Sequence, residues 1–284
     1  MKVSYYPGCS LEGTAKEYGQ SFETVARDLG IELHELNGWT CCGASSAHVT
    51  NDEMAVSLGV RNLLLANKTR MDLVVPCAAC YQRLKAAEKA VNTRKTIEGI
   101  PAGFATQGRI RHIVDFIWEE CGEQAIREKV RKPLQALSPV CYYGCLVTRP
   151  PHITDARDPE DPRAMDDILK SLDANVKNWS YKTDCCGGNL MLTHPELARK
   201  LVARLFDMAL EAGANCIAVG CPMCHASLDT VQRDITRSDG ASYNLPVYYF
   251  TELMGLAFGN RAAGGWFNRH LTDAKSLLSR NGLL

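Results

Sequence analysis

Residues 2–6, Lys-Val-Ser-Tyr-Tyr, alternate and are rich in β-formers, so they predict a strand that stops at Pro7-Gly8. A helical period follows. Ala15, Tyr18, Phe22, Val25, Ala26 and Leu29 share one face, and Gly30 is suited to end the helix. Thr14 and Glu17 have the spacing of a capping box at its start. Residues 31–36 predict a second strand and Asn37-Gly38 a turn. Thr50 and Glu53 repeat the capping-box spacing and open a helix over 51–68. The short apolar run 72–75 predicts a buried parallel strand. A helix follows through Tyr81, Leu84 and Ala87, then a charged loop with Gly99, Gly103 and Gly108. An amphipathic segment over 110–120 closes this half.

The same order then restarts at Ser138-Pro139. Val140-Cys141-Tyr142-Tyr143-Gly144-Cys145 repeats Ser4-Tyr5-Tyr6-Pro7-Gly8-Cys9. Thr193 and Glu196 recreate the capping-box spacing, residues 214–219 match the strand at 73–75, and 247–256 closes the second half. The Pro/Asp-rich stretch 149–162 predicts a surface loop that makes the second copy longer. The expected fold is α/β: two repeats related by a pseudo-twofold axis, each a small parallel sheet flanked by helices. The expected boundaries are 1–134, 135–259 and a tail 260–284 with a short helix near 270–280.

Charge narrows the function. Lys+Arg and Asp+Glu both number 32, so no net field favours nucleic acid or an anionic membrane. The first residues lack the apolar core of a signal peptide, and no apolar run approaches the ~20 residues of a membrane helix. A cytoplasmic protein without a membrane span is expected. In that reducing compartment, 13 cysteines point to metal binding or redox chemistry rather than a disulfide framework.

Ten of the 13 fall into two copies of one pattern. The first is Cys9, Cys41-Cys42-Gly43 and Cys77-Ala78-Ala79-Cys80. The second is Cys145, Cys185-Cys186-Gly187 and Cys221-Pro222-Met223-Cys224. Thiolates select iron–sulfur clusters, zinc or Cu(I). A Cys-x-x-Cys at a helix start can converge two sulfurs, and the positive helix end favours their thiolates. Adjacent cysteines suit a polynuclear cluster better than one tetrahedral ion, because neighbouring side chains in extended backbone diverge. Five ligands per half also exceed the four of a structural zinc site or a cubane. Iron–sulfur is therefore preferred to zinc, with redox-active dithiols third. Cys121, Cys216 and Cys141 read as buried non-ligands.

The pattern Cys-x31-Cys-Cys-Gly-x33-Cys-x-x-Cys, repeated as Cys-x39-Cys-Cys-Gly-x33-Cys-x-x-Cys, resembles the duplicated cysteine-rich CCG domain. Among its carriers the chain is most similar, over about 1–259, to the catalytic B subunit of heterodisulfide reductase. The Tyr-Tyr-Pro-Gly-Cys9 opening and the stretch from Cys42 to His48 resemble bacterial members more than methanogen ones. The resemblance implies two noncubane [4Fe–4S] clusters. Cys9, Cys41, Cys42, Cys77 and Cys80 would hold the first; Cys145, Cys185, Cys186, Cys221 and Cys224 would hold the second. It further implies that a disulfide lodges between them and is split by paired one-electron transfers. The implied partners are a ferredoxin-like C subunit as donor and a flavin-bearing A subunit. The chain has no Gly-x-Gly-x-x-Gly, so no flavin or NAD is expected on it.

Other residues carry weaker signals. His48, His194 and His225 follow the motifs closely and are candidate proton donors. A hydrogen-bonded role at the surface or behind the ligands is the simpler reading for each. Arg61, Lys68, Arg83 and Lys85 could meet an anionic substrate, though charged helix faces are usually solvated. Trp39 and Trp179 suit packing beside the motifs. Trp266-Phe267 could dock on a partner subunit or fold back on the chain's own core. Two other functions remain open: an iron–sulfur electron-transfer subunit of another oxidoreductase, of the lactate, glycolate or thiol:fumarate type, and a zinc-stapled scaffold without redox chemistry.

Overall fold

The computed structural model describes residues 1–44, 47–93, 101, 104–236, 240 and 242–284. Gly99, Gly103 and the Ser45-Ser46 pair lie outside the described residues.

The first half runs β1 (Lys2–Tyr5), α1 (Gly8–Glu12), α2 (Lys16–Asp28), β2 (Glu32–Glu35), α3 (Ala47–Thr50), α4 (Asp52–Asn67), β3 (Leu73–Val75), α5 (Ala78–Thr93), β4 (Ile110–His112) and α6 (Ile113–Arg127). The second runs β5 (Pro139–Tyr142), α7 (Pro151–Thr154), α8 (Ala164–Ser171), α9 (Pro195–Glu211), β6 (Cys216–Val219), α10 (Pro222–Val231), β7 (Val247–Tyr249) and α11 (Phe250–Ala257). The tail adds α12 (Ala263–Trp266) and α13 (Lys275–Arg280).

Each half builds its own parallel sheet, in the orders β2-β1-β3-β4 and β5-β6-β7. Where β2 would recur, Lys177 makes a single parallel bridge to Val140. β3 and β6 are buried along their whole length, as central strands covered on both faces must be. The edge strand β2 instead mixes charge with apolar residues and stays half exposed.

The halves meet through helices. α2 packs on α11, and α6 on α8. α2 and α8 each follow the first strand of a half, and α6 and α11 each follow the last, so the two contacts are equivalent about the pseudo-twofold axis. The larger apolar core crosses this interface, from Tyr18, Phe22 and Phe116 to Leu169, Tyr249 and Leu253. A smaller core lies mainly within the first half, around Tyr6, Val60, Leu63 and Leu84.

Several local expectations are corrected. Cys9 is not on a loop but in the first turn of α1. α2 starts one residue later than its capping box requires, with Ala15 as N-cap and no side-chain cap. Glu17 is drawn inward, 3% exposed, rather than reaching back to Thr14. α4 is capped by Asn51, whose side chain accepts from the Met54 N–H at 2.9 Å; Thr50 ends α3 instead. α9 has His194 as N-cap, and Glu196 pairs with Arg199. The segment 110–120 splits into a strand and a helix, because three residues of strand are too few to show a period of their own. The stretch 149–162 is more than a surface loop: it contains α7, which packs on α5, and it buries Thr154. Trp266 and Phe267 fold back on the chain's own core, and a Cβ at Gly255 would lie 2.6 Å from the Trp266 ring.

Candidate metal centre

Three backbone features per half set the thiols. Cys9 sits in the first turn of α1; Cys77 precedes α5 and Cys80 lies in its first turn; Cys221 is the N-cap of α10 and Cys224 lies in its first turn. Each helix start presents free N–H groups and a positive dipole end to the sulfurs. Tyr6 donates its hydroxyl to the Thr40 carbonyl at 2.7 Å, and Tyr142 donates to the Asp184 carbonyl at 2.6 Å. The two bonds are counterparts, and each pins the residue before an adjacent cysteine pair. Trp39 packs edge-on against Tyr6, and Trp179 against Tyr142. The Gly43 and Gly187 N–H groups donate to Cys41 and Cys185 Sγ at 3.4 and 3.3 Å.

Gly8 and Gly144 both take φ near +71°, where a side chain is strained. A Cβ added there would lie 3.0 Å from Cys80 Sγ and 2.7 Å from Cys224 Sγ. The turn after each first strand is therefore a cradle for a sulfur.

The sulfurs are linked to one another. Cys42 Sγ touches Cys80 Sγ at 3.2 Å. Cys77 with Cys80, Cys221 with Cys224 and Cys186 with Cys224 likewise bias each other's protonation. Cys77 and Cys221 bias each other's protonation across the interface, so the inner sulfurs of the two sets are neighbours. Cys9 with Cys41, and Cys145 with Cys185, make an outer pair in each half. Cys9, Cys41 and Cys185 form the exposed edge; Cys42, Cys77, Cys80, Cys186, Cys221 and Cys224 are buried, and Cys145 is half-buried.

The shared protons divide the thiols. The proton shared with Cys80 lowers Cys42 to about 7, and the one shared with Cys145 lowers Cys185 to about 6. Cys224 likewise lowers Cys186 and Cys221. Their partners Cys80, Cys145 and Cys224 move up in exchange. A metal that takes these sulfurs displaces the shared protons. Five thiols per half, with Cys42, Cys185, Cys186 and Cys221 biased toward thiolate, fit a soft polynuclear centre. Among the described residues, no three Cys, His, Asp or Glu side chains converge on a point that holds a single ion. A metal bound to both Cys42 and Cys80 must part their sulfurs.

At the interface the Tyr18 hydroxyl lies 3.2 Å from the Pro76 carbonyl and 3.0 Å from that of Gly220. These are the residues before Cys77 and Cys221. Tyr18 stacks on Tyr249, and Tyr249 on His225, at 4.2 and 4.3 Å. Neither tyrosine is visible as a site residue in the sequence, where both read as core. His112, which ends β4 as Tyr249 ends β7, is equally hidden there.

The other candidates scatter. His225 is buried, its Nε2 3.2 Å from the Val247 carbonyl, and burial lowers it to about 3, so the ring is neutral. His194 is exposed and bonded to Thr193, and His48 is half-buried in α3. Lys85 is consumed by Glu88 and Asp155. Arg61 and Lys68 are exposed, while Arg83 is near enough to Cys42 to help hold its thiolate. Cys141 and Cys216 lie wholly in the core.

The sequence profile of the cysteine-rich domain CCG matches residues 3–85 and 140–229. The chain is a member of the CCG family. In this CCG protein both matches end just after the Cys-x-x-Cys of their half. One relative is the 8-methylmenaquinol:fumarate reductase membrane anchor subunit of Wolinella succinogenes, 29% identical over 97% of this chain and 99% of that protein. Another is the B subunit of the ferredoxin:CoB-CoM heterodisulfide reductase of Methanosarcina mazei, 26% identical over 91% and 89%. A third is lactate utilization protein A 2 of Bacillus cereus, 24% identical over 66% and 72%. The fold matches a crystal structure of a hypothetical protein from Helicobacter pylori with a TM-score of 0.72 at 10% identity. That match covers 96% of this CCG chain and 52% of the other, so the chain spans about half of that protein. No helix among the described residues is long and apolar enough to cross a membrane.

Proposed function

We propose that this CCG protein is an iron–sulfur subunit of a multi-subunit oxidoreductase. In this reading Cys9, Cys41, Cys42, Cys77 and Cys80 hold one noncubane [4Fe–4S] cluster, and Cys145, Cys185, Cys186, Cys221 and Cys224 hold another. The substrate is a disulfide at the seam between them. One observation supports the reading: the Tyr18 hydroxyl lies 3.2 Å from the Pro76 carbonyl and 3.0 Å from that of Gly220, so the turns that carry Cys77 and Cys221 meet at one seam.

When bound, the clusters supply one-electron steps and Lewis-acidic iron. Cleavage of R–S–S–R′ takes two electrons and two protons and yields two thiols. The chain's own part is positioning. Tyr18 ties the turns before Cys77 and Cys221 to one point, which fixes the spacing of the two sets. The aromatic residues Tyr6, Tyr142, Trp39 and Trp179 back the buried sulfurs, while Cys9, Cys41 and Cys185 stay at the exposed edge. The electrons come from outside, from a ferredoxin-like subunit fed by a flavin-bearing one, in a cytoplasmic complex.

The test is anaerobic. Purified protein should be brown, contain about eight irons, and reduce at least one of a panel of disulfides with a reduced viologen. A colourless zinc protein refutes the whole reading.

The full-length match to the fumarate reductase subunit favours a second reading, in which the clusters relay electrons from a quinol without disulfide chemistry. Iron-replete protein that oxidises a menaquinol analogue but leaves every disulfide intact selects it.

A further inference from the structure

A cleft of about 790 Å³ opens where the halves meet. One wall is α5, β4 and α6. The other is the 147–164 stretch, in which the second repeat is longer than the first. The insertion breaks the pseudo-symmetry: buried His112 lines this cleft, while its counterpart Tyr249 stacks on Tyr18.

Most charges on the cleft are spent on each other. Lys85 pairs with Glu88 and Asp155, Arg111 with Glu119 and Glu120, and Arg163 with Asp161. His112, Thr148, Asp115 and Arg157 lie outside these pairs, and among the described residues Asp158 accepts only from the Glu160 and Asp161 N–H groups. Both ring nitrogens of His112 and Oγ1 of Thr148 are buried without a hydrogen-bond partner, on residues 1% and 2% exposed. The Pro76 and Gly220 carbonyls face the imidazole, but neither completes a bond with it. Asp115 and exposed Arg157 attract each other across the space, without contact close enough for an ion pair. Native proteins seldom leave buried polar atoms unpaired unless something else pairs them.

We propose that this cleft binds the amino-acid-like end of a small zwitterionic sulfur compound. Its ammonium faces Asp115, its carboxylate faces Arg157, and His112 and Thr148 supply hydrogen bonds from the floor. Asp115 feels Arg111 as well as Arg157 but forms an ion pair with neither, so each of Asp115 and Arg157 can take an opposite charge from the ligand. The sulfur end is assigned to the His112 side, where Gly220, the residue before Cys221, packs behind that ring beside Val114 and Met165. That last step rests on the disulfide reading above; the zwitterion site does not.

The test is calorimetric titration of the anaerobic full-length protein with L-cystathionine, a zwitterionic thioether that cannot be reduced. Thiodiglycolate, with carboxylates only, and bis(2-aminoethyl) sulfide, with amines only, are the comparators. Cystathionine is expected to bind about tenfold or more tighter than either. Arg157→Ala and Asp115→Asn should each lose about tenfold, and Lys200→Ala, on the exposed face of α9, should lose nothing. Equal affinities for the three sulfides, no binding of cystathionine, or no loss in both cleft variants overturns the proposal. Binding of cystathionine by a protein that reduces no disulfide keeps the cleft and removes the disulfide reading; disulfide reduction without cystathionine binding does the reverse.

Discussion

Positions 8 and 144 can hold only glycine if the sulfurs opposite them are to stay where they are. Alanine at either needs a left-handed backbone that costs about 1–2 kcal/mol, and its Cβ would press on Cys80 or Cys224. Gly8→Ala and Gly144→Ala are each expected to cost about half of the bound iron, read by iron analysis. Cys141→Ala, in the core, should leave iron content unchanged. Asp115 belongs to this scale as well. Burial, with Glu119 adding to it, raises its carboxyl to about 6. A raised carboxyl pKa means that the folded state prefers the proton. The benefit is complete below the unfolded value of about 4 and is lost as pH rises through about 6. Asp115→Asn should therefore stabilise the protein at pH 7 by about 1–3 kcal/mol and flatten urea midpoints across that window. Such charges are invisible in sequence, because Asp115 there is one polar residue on an amphipathic helix.

At the scale of elements, the period of apolar positions locates α2, α4, α5 and α9, and the β-branched run locates β3. Start signals fail at all three capping boxes. A Thr-x-x-Glu spacing says only that a cap is possible; Ala15, Asn51 and His194 take the position because α1, α3 and the turn before α9 use the preceding residues. Asn51→Ala should cost about 1 kcal/mol in a denaturant melt. β4 escapes a sequence reading because its Ile-Arg-His is too short to show alternation, and α8 because it lies next to an insertion whose proline and aspartate content reads as loop.

The whole molecule is closed by its tail. His270 is buried against Glu252 at 3.0 Å, with Glu17 and Asp229 nearby. Burial opposes its charge most, but Glu252, Asp229 and Glu17 together outweigh it, and the pKa is raised. The pair's contribution is full below the unfolded value of about 6.5 and fades as pH rises through the folded value. His270→Gln should cost about 3–5 kcal/mol at pH 6 and progressively less at higher pH, in urea melts at pH 6 and pH 9. A constant difference between those melts would show that the pair is not charged.

Chemistry repeated at fixed spacing is a property of the chain itself. The doubled cysteine pattern, the parallel α/β plan and the duplication could all be read from residue order, because ligand type and apolar period are local. The nearness of Cys77 to Cys221, the bridging place of Tyr18, the unpaired nitrogens of His112 and the inward turn of Glu17 are not local. Each depends on which helix faces cross the interface between halves, and residues far apart in sequence acquire those neighbours only when the two sheets are packed together.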